Sequence, residues 1–196
     1  MITPERPPIG VILAGGAGRR LGGGKALASL AGRPLISYPL CAMAAALGDV
    51  AVVAKPRTAL PAFERRVSVW REPESPSHPL VGIVEALRRA GGRAVVVCAG
   101  DMPFVGVDVL RSLAGADVGS AAAVVACDGE GALQPALARY DASGLDVLER
   151  ALGSDRPLRA LIGALGPATL PVDERTLFNV NTPADLERAR GMLAGR

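Results

Sequence analysis

Apolar residues come in unbroken blocks along the first half of the chain rather than in strict alternation. Three blocks are apolar almost throughout: 9–14, 49–54 and 94–99. Blocks of this length, bounded by glycine and polar residues, predict strands buried on both faces. Between them the apolar positions fall on a helical period. Pro34 opens one such stretch, with Leu35, Ile36, Leu40, Met43 and Leu47 on its apolar face, and Gly48 ends it. A short helix over 60–66 and a short strand over 67–70 follow. Residues 80–90 form a helix stopped by Gly91-Gly92. A helix is expected over about 106–114, and strands over 121–126 and 134–140, with Pro135 at the start or edge of the second. Helices over 143–152 and 157–165 and short strands at 169–172 and 177–180 complete the pattern. The last helix begins with Thr182 as N-cap and Pro183 at its first position, and carries Leu186, Ala189 and Leu193 on one face.

Strands that alternate with helices argue for an α/β fold: a Rossmann-like three-layer αβα sandwich around a mostly parallel, mixed sheet. At 196 residues the chain suits one domain, 1–196, with 1–8 as a polar, proline-rich lead-in. No repeat, low-complexity tract or long linker divides it. Aromatic residues make up 3% of a chain that is 49% apolar, so the core should be aliphatic. The net charge of +3 comes without a lysine-rich arm or aromatic-basic interleaving, which argues against nucleic acid as a partner. Cys41, Cys98 and Cys127 form no C-x-x-C pair and read as free thiols, as expected of a reducing, cytoplasmic setting. The start of the chain is not a signal peptide, and no apolar run reaches the roughly 20 residues of a membrane span.

The chemistry concentrates after the first strand. Gly15-Gly16-Ala17-Gly18-Arg19-Arg20-Leu21-Gly22-Gly23-Gly24-Lys25 holds six glycines, two arginines and a lysine. Glycines let backbone N–H groups converge on an anion, and the cations add charge, so this loop suits a polyphosphate. It is not a Walker A loop: Arg19 stands at the first glycine position, and Ala26 where a metal-binding hydroxyl belongs. It is not a dinucleotide fingerprint either, because Gly16-Ala17-Gly18-Arg19-Arg20-Leu21 ends on leucine and Ala54-Lys55-Pro56 offers no ribose-binding acid.

In an open α/β sheet, ligands sit at the C-terminal ends of the strands. Two further motifs occupy such ends: Gly100-Asp101-Met102-Pro103, and Asn179-Val180-Asn181-Thr182-Pro183. Asp101 leaves an apolar strand and needs a partner for its charge. Mg²⁺, which takes one or two carboxylates plus phosphate oxygens and water, meets that need opposite a phosphate loop. Lys25 is the residue to neutralise charge when one phosphate attacks another, with Arg19 or Arg20 beside it; either arginine can equally be a solvated loop charge. Asn181 is a candidate metal or acceptor ligand, while Asn179 fits turn chemistry as well as binding.

The pattern Leu13-Ala14-Gly15-Gly16-Ala17-Gly18-Arg19-Arg20-Leu21-Gly22, followed by Lys25, resembles the signature of nucleotidyltransferases that join a nucleoside monophosphate to a phosphorylated acceptor. Within that group it is most similar to the molybdenum cofactor guanylyltransferases, the MobA-like proteins. The similarity runs from Gly10 to Ala189 and includes Asp101-Met102-Pro103 and Asn179-Val180-Asn181-Thr182-Pro183. The resemblance implies a Mg²⁺-dependent transfer of GMP from GTP to the phosphate of molybdopterin, with release of pyrophosphate. It implies nucleotide binding by Leu13, Ala14, Gly15, Gly16, Lys25, Glu72 and Asp101, metal binding by Asp101 and Asn181, and catalytic roles for Lys25, Asp101 and Arg20. Partner proteins of cofactor biosynthesis would accompany these small molecules. His78-Pro79-Leu80 resembles a family segment near the nucleotide, and Gln134-Pro135 one that faces the acceptor. The chain departs from the family at Gly24, where an aspartate is common, in a loop one residue shorter, and near Ala54-Lys55, where an asparagine is expected. Transfer from CTP or another nucleotide to a different phosphate, and a nucleotide-binding module without catalysis, are the alternatives.

Overall fold

The computed structural model describes residues 6–16, 24–63, 67–119 and 121–195. The buried strand β1 (Ile9–Leu13) lies inside a seven-stranded sheet, between β4 (Val50–Ala54) and β6 (Val95–Ala99), and parallel to both. The full order is β5-β4-β1-β6-β8-β7-β9, with β5 at Val67–Arg71, β7 at Ala123–Cys127, β8 at Leu133–Tyr140 and β9 at Ala168–Pro171. Strand β8 runs antiparallel to both its neighbours; the other pairs are parallel. The expected mixed, mostly parallel sheet is therefore the observed one.

Alternation along each strand feeds two cores. Ile9, Val11, Val95, Val97 and Tyr140 point to one face, where α2 (Pro79–Arg89), α4 (Leu145–Arg150) and α5 (Leu158–Gly163) supply Leu80, Ile83, Leu87, Leu148, Leu161 and Ile162. Ile12, Val52, Val96 and Cys98 point to the other, against Ile36 and against α1 (Ser37–Ala46) and α3 (Val107–Gly115), which bring Met43, Leu110 and Leu113. The result is three layers with an aliphatic interior. Among the described residues, no helix is long and apolar enough to cross a membrane.

Three local expectations give way. Pro34 does not open a helix: with Arg33 it forms β3, paired antiparallel with β2 (Ser29–Leu30). The two-residue turn between them, Ala31-Gly32, has positive φ at both positions, which suits a tight hairpin. Strands of two residues are too short to leave a periodic trace in the sequence. The first helix starts instead at Ser37, whose hydroxyl donates to the Pro34 carbonyl at 2.6 Å. Residues 60–63 are not helical; Leu60 and Phe63 pack singly against the second core, and 64–66 lie outside the described residues. Residues 177–180 are not a strand but an irregular segment leading to α6 (Pro183–Leu193). A small third core explains it: Val180 and Ala189 pack there with Leu30 of the hairpin and Leu35.

The central strand is fitted to α1 through one glycine. A Cβ on Gly10 would lie 2.5 Å from Cγ and 2.7 Å from Sδ of the fully buried Met43, whereas one on Gly16 would meet nothing within 4 Å. Gly10→Ala should therefore cost about 1–3 kcal/mol of stability through overpacking. Gly16→Ala should stay within about 0.5 kcal/mol of the parent. Urea unfolding of both variants checks the contrast.

Candidate active site

The C-terminal ends of β1, β4, β5 and β6 are joined by backbone hydrogen bonds just where the sheet stops. Ala14 N–H donates to Val53 O at 2.8 Å, Glu72 N–H to Ala54 O at 3.1 Å, and Gly100 N–H to Leu13 O at 3.0 Å. The irregular segment before α6 joins the same edge, since Val180 N–H donates to Asp101 O at 2.9 Å. A cleft of about 300 Å³ lies over these ends. Its walls include Leu13, Ala14, Gly15, Gly16, Lys25, Lys55, Glu72, His78, Asp101 and Asn179. Six of the seven nucleotide-site residues expected from the sequence had no sequence neighbour in common with Asp101, yet the topology brings all seven to this cleft. Arg20 and Arg19 lie outside the described residues.

One node dominates the electrostatics. The Lys25 ammonium donates to Asp101 Oδ2 and, at 2.7 Å, to Asn181 Oδ1. The three side chains come from separate parts of the chain. Lys25 opens a single 3-10 turn (Lys25–Leu27) after Gly24, which holds a left-handed φ of 66°. Asp101 follows β6. Asn181 is fixed from below by a capping box: Thr182 accepts from Asp185 N–H at 3.2 Å, while the Asp185 carboxylate accepts from Asn181 N–H and Thr182 N–H at 3.0 and 2.9 Å. The Asn181 N–H bond, followed by those from Thr182, holds the Asp185 carboxyl below its ordinary range.

Asp101 Oδ1 is buried and has no hydrogen-bond partner among the described residues. An orphaned carboxylate oxygen of this kind is costly unless a cation or donor completes it. With Oδ2 and the Asn181 amide oxygen, it makes an all-oxygen donor set suited to a hard cation. Among the described residues no group of three or more His, Cys, Asp or Glu side chains converges, so these residues offer no closed cage. One carboxylate and an amide, with the rest of the shell left to phosphate and water, is the arrangement Mg²⁺ favours. Burial, and secondarily the Asp101 charge, push the neighbouring Cys98 thiol well up, which marks Cys98 as an inert core residue.

The other end of the cleft is built on Glu72. Its side chain is 6% exposed and lies against two glycines. A Cβ on Gly15 would fall 1.9 Å from Oε1, and one on Gly82 would fall 2.9 Å from Oε2. Both glycines are thus required by the close approach of a carboxylate rather than by a turn. Burial raises the Glu72 carboxyl above its ordinary range, against the opposing pull of Lys55 at 4.0 Å. No hydrogen-bond donor reaches this carboxylate among the described residues. Lys55 itself donates to Pro73 O at 3.0 Å and Glu74 O at 2.6 Å, pinning the loop that carries Glu72. Lys55 was missed by sequence reasoning, although a signal was present: Lys25 and Lys55 are the only lysines in a chain of 22 Lys and Arg, and both line the cleft. His78 is the N-cap of α2, its Nδ1 accepting from Leu80 N–H at 3.2 Å. That bond leaves Nε2 as the protonated nitrogen of the neutral ring. Asn179 donates to Leu177 O at 2.7 Å, the turn role weighed for it, and also lines the cleft. From the Gln134-Pro135 region, Ala136 reaches the cleft wall.

Comparison with known proteins bears on the family and the fold. A family model described as the MobA-like NTP transferase domain matches residues 10–169. A molybdenum cofactor guanylyltransferase of Acidiphilium cryptum is 37% identical, over 95% of this chain and 94% of its own length. The crystal structure of molybdopterin-guanine dinucleotide biosynthesis protein A from Archaeoglobus fulgidus is similar with a TM-score of 0.72 at 26% identity, covering 96% of this chain and 100% of that one. Rv0371c of Mycobacterium tuberculosis in complex with manganese shares the fold, with a TM-score of 0.72 at 20% identity over 95% of this chain and 99% of that one.

Because the folded chain holds the Glu72 proton more tightly than the unfolded chain does, stability from the neutral carboxyl is present at low pH. It is lost as pH rises from the ordinary 4.5 through the raised value. Glu72→Gln, uncharged throughout, should therefore melt at a higher temperature than the wild type at pH 8. The gap should close when both are melted near pH 4.5. A variant less stable than the wild type at pH 8 would contradict the burial argument.

Proposed function

We propose a specific reaction for this chain, which belongs to the MobA-like NTP transferase family and is a nucleotidyltransferase: transfer of GMP from GTP to the phosphate of molybdopterin. An oxygen of the acceptor phosphate attacks the α-phosphorus of GTP. The bond from that phosphorus to the bridging oxygen of the β-phosphate breaks, and pyrophosphate leaves with the electron pair. No covalent enzyme intermediate is required. Attack of one phosphate on another is limited by charge repulsion and alignment, so the protein's work is positioning and electrostatic stabilisation.

The observation that carries this reading is the meeting of Lys25, Asp101 and Asn181 beside the cleft that Gly15 and Gly16 line, with one Asp101 oxygen unsatisfied. Backbone N–H groups of Gly15 and Gly16 face the triphosphate, and Lys25 offsets its charge. Arg20 is assigned to the same task by the motif alone. Asp101 and Asn181 would hold Mg²⁺, which would supply charge neutralisation on the phosphates when bound.

The base end supports guanine. The Watson–Crick edge of guanine presents two adjacent N–H donors, at N1 and N2, beside the O6 acceptor. A buried carboxylate without a donor accepts the first two, and the N–H groups of Lys55 or His78 suit the third. Cytosine and adenine present one amino group next to a ring-nitrogen acceptor, which a carboxylate repels. The homologue names point the same way.

The test is pyrophosphate release with molybdopterin as acceptor and GTP, CTP or ATP as donor. GTP should be preferred, and Asp101→Ala should lower turnover at least about 100-fold while circular dichroism shows the fold retained. Preference for CTP would overturn the donor assignment. Near-wild-type turnover in Asp101→Ala would overturn the metal role.

A further inference from the structure

The Lys25 contacts carry a consequence for the order in which the site fills. We infer that Lys25 is the resident cation of the metal site in the nucleotide-free protein, so that metal enters well only after a triphosphate has drawn the lysine away. This inference rests on the proposed role of Asp101 and Asn181 as metal ligands.

The two oxygens that Lys25 bonds, Asp101 Oδ2 and Asn181 Oδ1, are two of the three in the donor set that a hard cation would use, Asp101 Oδ1 being the third. An ammonium seated on two of these oxygens opposes a divalent ion on the same set, because two cations held so close repel each other. Asn181 is exposed, but the Lys25 and Asp101 side chains are recessed, 17% and 16% exposed, so water screens the repulsion at Asp101 only in part. The backbones that carry both oxygens are held without Lys25. Val180 N–H fixes the Asp101 backbone, and the Asp185 carboxylate fixes Asn181 N–H. When the lysine leaves, both backbones stay in place and the Asp101 carboxylate presents uncompensated negative charge.

The lysine has a route out. It follows Gly24, which holds φ +66° in open space, a backbone position that glycine alone adopts without penalty. Its alternative partners are close, since Gly15 and Gly16 line the same cleft and a triphosphate seated there presents several anionic oxygens. Nucleotide binding therefore removes a cation from Asp101 and Asn181, and metal replaces it. By linkage, metal and nucleotide strengthen each other by the same factor.

The experiment titrates Mn²⁺ into nucleotide-free protein and reads free Mn²⁺ by electron paramagnetic resonance. Five proteins are compared: wild type, Lys25→Met, Lys25→Arg, Asp101→Asn and the double variant Lys25→Met/Asp101→Asn. Lys25→Met should bind Mn²⁺ about 10-fold or more tightly than wild type, the usual scale of coupling between sites. Lys25→Arg, which keeps the cation, should stay near wild type, and the double variant should lose the gain. Lys25→Gln serves if the methionine variant does not fold. Affinity in Lys25→Met equal to or below wild type overturns the inference. If Asp101→Asn in the wild-type background nonetheless weakens Mn²⁺ binding, the metal site itself stands. A double variant that binds as tightly as Lys25→Met overturns both.

Discussion

A carboxylate set at the end of a fully buried apolar strand is the constraint on which the rest of this structure depends. Strand β6 is valine-rich and solvent-free over most of its length, and it delivers Asp101 to an edge where one oxygen has no protein partner among the described residues. A charge so placed requires a cation. The protein supplies Lys25, and the proposed reaction supplies a metal and a phosphate chain. Much of the local architecture follows from holding these candidates at one point: the left-handed Gly24 ahead of Lys25, the capping box beneath Asn181, and the small third core of hairpin and C-terminal helix that packs Val180 beside the strand end.

The opposite end of the cleft solves a related problem differently. Glu72 is pressed between Gly15 and Gly82, closer than any side chain on either residue would permit. Gly15 thus serves two masters, exposing its backbone to the cleft while making room for a carboxylate behind it. Burial of Glu72 weakens the free protein and leaves an acceptor that a ligand with paired N–H donors would satisfy. A site that is unfavourable until filled gives binding energy a definite target, and such local conflicts are expected where function outweighs stability.

What the sequence revealed depended on how far each signal reached. The buried strands were legible because five or six consecutive apolar residues have few other uses, and the helix after Thr182 because its cap and proline are local chemistry. Asp101 was legible as a charge at the end of an apolar run; the glycine-rich loop stood out by composition, and its residues 17–23 lie outside the described ones. The hairpin at 29–34 was not, since two-residue strands carry no period and Pro34 imitates a helix start. Leu177, Phe178 and Val180 suggested a strand because they are apolar, but Phe178 and Val180 serve the third core and Leu177 the second. Lys55 escaped notice because its importance lies in the Pro73 and Glu74 carbonyls, nearly 20 residues away, and only the scarcity of lysine hinted at it.

The central claim is that Asp101 holds a metal on the nucleotide's phosphates. It is tested most directly by calorimetry of GTP binding to the wild type and to Asp101→Ala, with Mg²⁺ present and with Mg²⁺ chelated. The account predicts that the wild type binds GTP more tightly with Mg²⁺ and that Asp101→Ala shows no such gain. A full metal-dependent gain in Asp101→Ala would contradict it.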